Sequence, residues 1–150
     1  MKNNKKGFTL VELLAVIVIL AVVILIAVTA VIPRMNKAKR NAFVDEANAY
    51  AKAGVEAYVA STMEGTTSTC FTVKWLNENY IDKKDTGYDG WVQVSVNSTT
   101  DVATATVYIT NGKYALNNRS GSNIKLANVE DATSVTGTRP TSCTKLSTES

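Results

Sequence analysis

From Leu13 to Ile32 the chain runs for twenty residues without a charge, and Thr29 is the single polar side chain among them. At about 1.5 Å per residue a helix of that length spans about 30 Å, the thickness of a bilayer's hydrocarbon core. The richness in valine and isoleucine would suit a strand in water. In lipid, however, every backbone N–H and C=O must find its partner within the segment, and a single strand cannot supply them, so the run is predicted to be a membrane-crossing helix.

Two ordinary readings compete for it. A cleaved secretory signal would combine Lys2, Lys5 and Lys6 with an apolar core and Val28-Thr29-Ala30 as the cleavage site, but signal cores are about 7–15 residues long and lack an acid. A plain signal anchor accounts for the length and not for Glu12, which stands one residue before the run. A carboxylate at the bilayer centre costs about 2.5–3.5 kcal/mol. Near the interface the cost is smaller, yet the acid still calls for a positive partner. Cleavage between Gly7 and Phe8 would create one, an α-amino group about one helical turn from Glu12.

A basic leader, then Gly7, Phe8, Thr9, Leu10, Val11 and Glu12, then about twenty apolar residues resembles the class III signal of type IV prepilins and the related pseudopilins. The likeness covers about the first 40 residues. It implies cleavage after Gly7 by a prepilin peptidase, N-methylation of Phe8, and retention of the apolar helix as a filament core. It also implies that Glu12 guides docking to the Phe8 amine of an adjacent subunit. The likeness departs in one respect: many family members carry a helix-bending proline where this chain has Thr29, and the first proline here is Pro33.

Composition narrows the alternatives. Three of the sixteen basic residues precede the apolar run, and those that remain equal the thirteen acids, so no bulk charge favours a polyanion and nucleic acid is not an expected partner. Histidine is absent, which removes the commonest general base and the commonest neutral metal ligand. No GxSxG and no phosphate-cradling glycine loop occurs. No enzymatic activity, cofactor or metal is therefore expected. Asp82, Asp85 and Asp89 lack calcium-loop spacing and read as a turn. Cys70 and Cys143 are too few for a zinc cluster, and a disulfide between them suits an exported domain.

Beyond Pro33, the residues Phe43, Ala47, Tyr50, Gly54 and Ala57 recur at spacings of four and three, one face of an amphipathic helix that continues the first. Arg34, Lys37, Lys39 and Arg40 form a basic cluster that reads as a solvated face paired in part with Asp45 and Glu46. The stretch TVKWLNENYI reads as a short helix with Thr72 as N-cap. Alternation predicts strands at roughly 91–96, 103–110 and 113–117, with a two-residue hairpin at Asn111-Gly112, one face on the helix and the other wetter. From Asn118 the chain is polar and loop-rich, with room for one further strand.

The expected organisation is a cleaved leader at 1–7, an apolar helix at 8–33, its amphipathic continuation at 34–64, and a head at 65–150. The fold class is α+β, a long N-terminal helix packed on a small antiparallel sheet, pilin-like. The expected function is a structural subunit of an extracellular filament. A pseudopilin of a secretion or DNA-uptake machine is the alternative, and an adhesin or DNA-binding minor pilin a remoter one. Expected partners are further copies of the chain, other pilins, the prepilin peptidase and assembly machinery, and the cytoplasmic membrane before export to the cell surface.

Overall fold

The computed structural model describes residues 7–81, 87–121, 124–141 and 143. The leader lysines and both Asp82 and Asp85 lie outside the described residues. Helix α1 (Leu10–Met63) is followed by β1 (Cys70–Thr72), α2 (Val73–Leu76), a π-helical turn (Asn77–Ile81), β2 (Asp89–Val96), β3 (Ala103–Thr110), β4 (Ala115–Ser120) and a 3₁₀ turn (Leu126–Asn128). The four strands form one antiparallel sheet in the order β1-β2-β3-β4. Two compact units divide the chain, Met1–Lys39 and Arg40–Ser150.

In the second unit the amphipathic part of α1 supplies the helix side of the core. Phe43, Ala47, Tyr50, Gly54 and Ala57 are all buried, as the spacing predicts, and Ala51 and Ala53 join them. Small residues at these positions allow the helix to sit close to the inner face of the sheet. There Val92, Val94, Val107, Ile109 and Leu116 complete the core. Each fully buried Val, Leu or Ile side chain contributes about 1.5–3 kcal/mol relative to exposure.

The connections differ in detail from the expected ones. β4 begins two residues later than predicted and extends to Ser120, and the β3–β4 link has four residues, with Thr110 opposite Ala115. Asn111 decides this, because its Oδ1 accepts from the backbone N–H of both Lys113 and Tyr114 and holds a wider turn, with Gly112 at φ +78°. Thr72 caps α2 by accepting from the Trp75 N–H at 3.3 Å. β1 was not predicted at all; three residues are too short to show alternation, and its pairing with Trp91–Gln93 defines it.

The outer face of the sheet is not simply wet. Trp91 and Tyr108, paired across β2 and β3, stack with centroids 4.7 Å apart, and Trp91 is buried against a disulfide joining Cys70 to Cys143. The tail is drawn onto the sheet by further bonds. Ala115 and Glu130 exchange backbone hydrogen bonds at 2.9 Å, and the Thr136 N–H donates to Asn117 Oδ1 at 2.7 Å.

Candidate functional site: the N-terminal processing and assembly segment

Gly7, Phe8 and Glu12, the residues expected to carry cleavage, methylation and docking, fall within six positions, and the first unit shows how the backbone presents them. Gly7, Phe8 and Thr9 precede the first residue of α1, so the Gly7–Phe8 peptide bond lies outside the helical hydrogen-bond ladder. Phe8 is 86% exposed. A peptide bond placed there can be bound in extended form without any helix unwinding first.

Thr9 and Glu12 set where the helix begins. The Thr9 N–H donates to Glu12 Oε2 at 2.8 Å, the Thr9 hydroxyl donates to the same oxygen at 2.9 Å, and the Glu12 N–H donates to Thr9 Oγ1 at 3.3 Å. This is a capping box: threonine at the N-cap and glutamate three residues on satisfy each other's backbone donors. The T-x-x-E pattern was present in the sequence as its signal. Two of these three bonds end on Oε2, and Oε1 takes none of them.

From Leu10 to Lys39 every residue is exposed, and the most apolar window of the helix, with a mean hydropathy of 3.4, has no part buried. The contrast with the core-lined half beyond Arg40 is chemical as well as spatial. An apolar surface this long, uncovered within its own chain, requires lipid or neighbouring chains around it. Pro33 lies inside α1 and cannot donate the N–H that would bond the Thr29 carbonyl. The Thr29 hydroxyl donates to the Ile26 carbonyl at 2.9 Å, so the segment's one polar side chain is satisfied on its own helix.

The basic cluster divides. Arg34, Lys37 and Lys39 are exposed and make no ion pair among the described residues. Arg40 does not pair along the helix with Asp45 or Glu46 as expected. It forms an ion pair with Asp131, donates to the Val129 carbonyl at 3.2 Å, and lies 5.5 Å from the Tyr114 ring centroid. Long-range packing of the tail, invisible to local spacing, brings these groups together. No group of three or more metal-ligating side chains occurs among the described residues.

Residues 2–28 match the family model described as the prokaryotic N-terminal methylation motif. The matched span includes Gly7, Phe8, Glu12 and most of the apolar run. The chain therefore carries, ahead of a pilin-like α+β head, the methylation motif of the class III signal of type IV pilins. No curated protein and no solved structure matches the chain significantly.

Proposed function

We propose that the protein is a structural subunit of a type IV pilus, cleaved after Gly7, N-methylated on Phe8 and polymerised through its apolar helix. The reading is carried by one observation: a methylation motif leads directly into about twenty apolar residues that the chain itself leaves uncovered. Before assembly the bilayer covers that surface. In a filament, neighbouring helices replace lipid, and association rests on close packing and on polar pairing, since lipid tails are as apolar as leucine. Glu12 supplies the polar pairing. In a low-dielectric surround its charge is costly alone and is offset by the Phe8 amine of an adjoining subunit.

The proposed role is structural rather than catalytic, with the cytoplasmic membrane as the site before assembly and the cell surface afterwards. The partners are further copies of the chain, other pilins, the prepilin peptidase and the assembly machinery. Surface filaments sheared from cells should contain the chain in abundance, with N-methylated phenylalanine as residue 8 at its terminus by mass spectrometry. A chain that is cleaved and methylated but confined to the envelope would be a pseudopilin. A terminus at Met1 or after Ala30 would overturn the reading.

A further inference from the structure

The head holds a cleft bounded by the C-terminal end of α1, the loop after it, β1 and α2, with a volume of about 540 Å³, a size suited to a small organic ligand. Its apolar wall is a run of three aromatic rings. Phe71 stacks on Trp75 with centroids 5.4 Å apart, and Tyr80 stands 5.5 Å from Trp75 at 51°. Phe71 is buried, whereas Trp75 and Tyr80 are half-buried and keep part of their surface available.

The rest of the lining is polar, but much of it is already engaged. The Ser61 hydroxyl donates to the Tyr58 carbonyl and accepts from the Ser68 N–H, and the Asn79 amide donates to the Trp75 carbonyl. Glu64 differs: its carboxylate is exposed on the rim and has no ion pair among the described residues. No lysine or arginine is among the lining residues described.

We propose that this cleft binds an alkylammonium cation, either free or at the end of a lysine side chain, held over the faces of Trp75 and Tyr80 with Glu64 as its counter-charge. Aromatic faces attract cations through the ring quadrupole. The carboxylate adds charge of the required sign and repels anions. A hard inorganic cation would need about six oxygen ligands, usually with several carboxylates, and Glu64 is the one carboxylate in the described lining. The Tyr80 phenol is held above its usual range, first by burial and then by the negative fields of Glu64 and Glu56, so negative potential reaches the ring the cation would cover. Glu56 is itself partly neutralised by Lys52 at 3.8 Å, leaving Glu64 as the principal charge.

The site stands apart from the filament reading and is tested without filaments. The full chain in a nonionic detergent is titrated with choline, with Nα-acetyl-lysinamide and with 3,3-dimethylbutanol, the uncharged isostere of choline. Heat is measured by calorimetry, and Trp75 fluorescence is followed in a Trp91→Phe chain. At least one of the two cations is expected to bind saturably and roughly tenfold or more tighter than the isostere, as cation–π attraction plus a counter-charge implies; whichever binds tighter identifies the source. Glu64→Gln is expected to weaken that cation severalfold without changing the thermal midpoint. Equal binding of cation and isostere, no saturable binding by either cation, or affinity unaltered in Glu64→Gln would each overturn the proposal.

Discussion

Gly54 of α1 lies so close to Val92 of β2 that a Cβ on the glycine would come 2.6 Å from Val92 Cγ1. Real Cβ atoms do not approach that closely, and the stiff β-branched valine has little freedom to turn aside. The contact sets the distance between helix and sheet at the centre of the core.

Gly54→Ala is therefore expected to destabilise the head even though alanine is the better helix former. The helix-propensity gain is about 1 kcal/mol. Overpacking costs about 1–3 kcal/mol. A net loss of about 1 kcal/mol follows, measured as a lower denaturant midpoint with an unchanged slope. Adding Val92→Ala should recover part of the strain, so the double variant should be less destabilised than the sum of the two singles.

The Thr9–Glu12 capping box allows the capping role of Glu12 to be separated from its proposed docking role. Thr9→Val removes the reciprocal cap and is expected to cost about 1 kcal/mol of local helix stability, while leaving the Glu12 carboxylate in place. Glu12→Ala removes both the cap and the proposed docking charge. Quantified filament yield should therefore fall steeply in Glu12→Ala and only slightly in Thr9→Val, with cleavage at Gly7 retained in both. Equal losses in the two variants would reduce Glu12 to a helix cap.

Cys70 and Cys143 are 73 residues apart in sequence and 4.4 Å apart between Cα atoms. Closing a loop of that length removes about 4 kcal/mol worth of freedom from the unfolded chain in the entropy model. Cys143→Ser is expected to lower head stability by about 2–4 kcal/mol. It should also shift the fluorescence of Trp91 to the red, because Cys143 belongs to the buried cluster that shields the indole.

Tyr80 should titrate later than a free phenol in an alkaline titration, since burial and then Glu64 and Glu56 raise it above the ordinary 10.0. The folded state holds this proton more tightly than the unfolded state. Its contribution to stability is thus complete below pH about 10 and is lost as pH rises through the folded value. Tyr80→Phe should flatten the alkaline decline in unfolding free energy and remove one late-titrating phenol from the ultraviolet difference spectrum.

Local signals in the sequence determined the apolar run, the amphipathic face from Phe43 to Ala57, the strands starting near Trp91 and at Ala103, and the Gly7-Phe8-Glu12 arrangement. In each, a short-period pattern or a fixed offset dictates which side chains share a face or a turn. The T-x-x-E capping box, which was not predicted, has a local signal of the same kind. Only the tertiary structure decided that Arg40 reaches Asp131, that the Cys70–Cys143 bond buries Trp91 on the sheet's outer face, and that Phe71, Trp75, Tyr80 and Glu64 line one cleft. Those relationships join residues far apart in the chain, or follow from a three-residue strand and a π-helical turn too short to carry a periodicity. Their energies come from burial and pairing that exist only once the tail and the sheet have met.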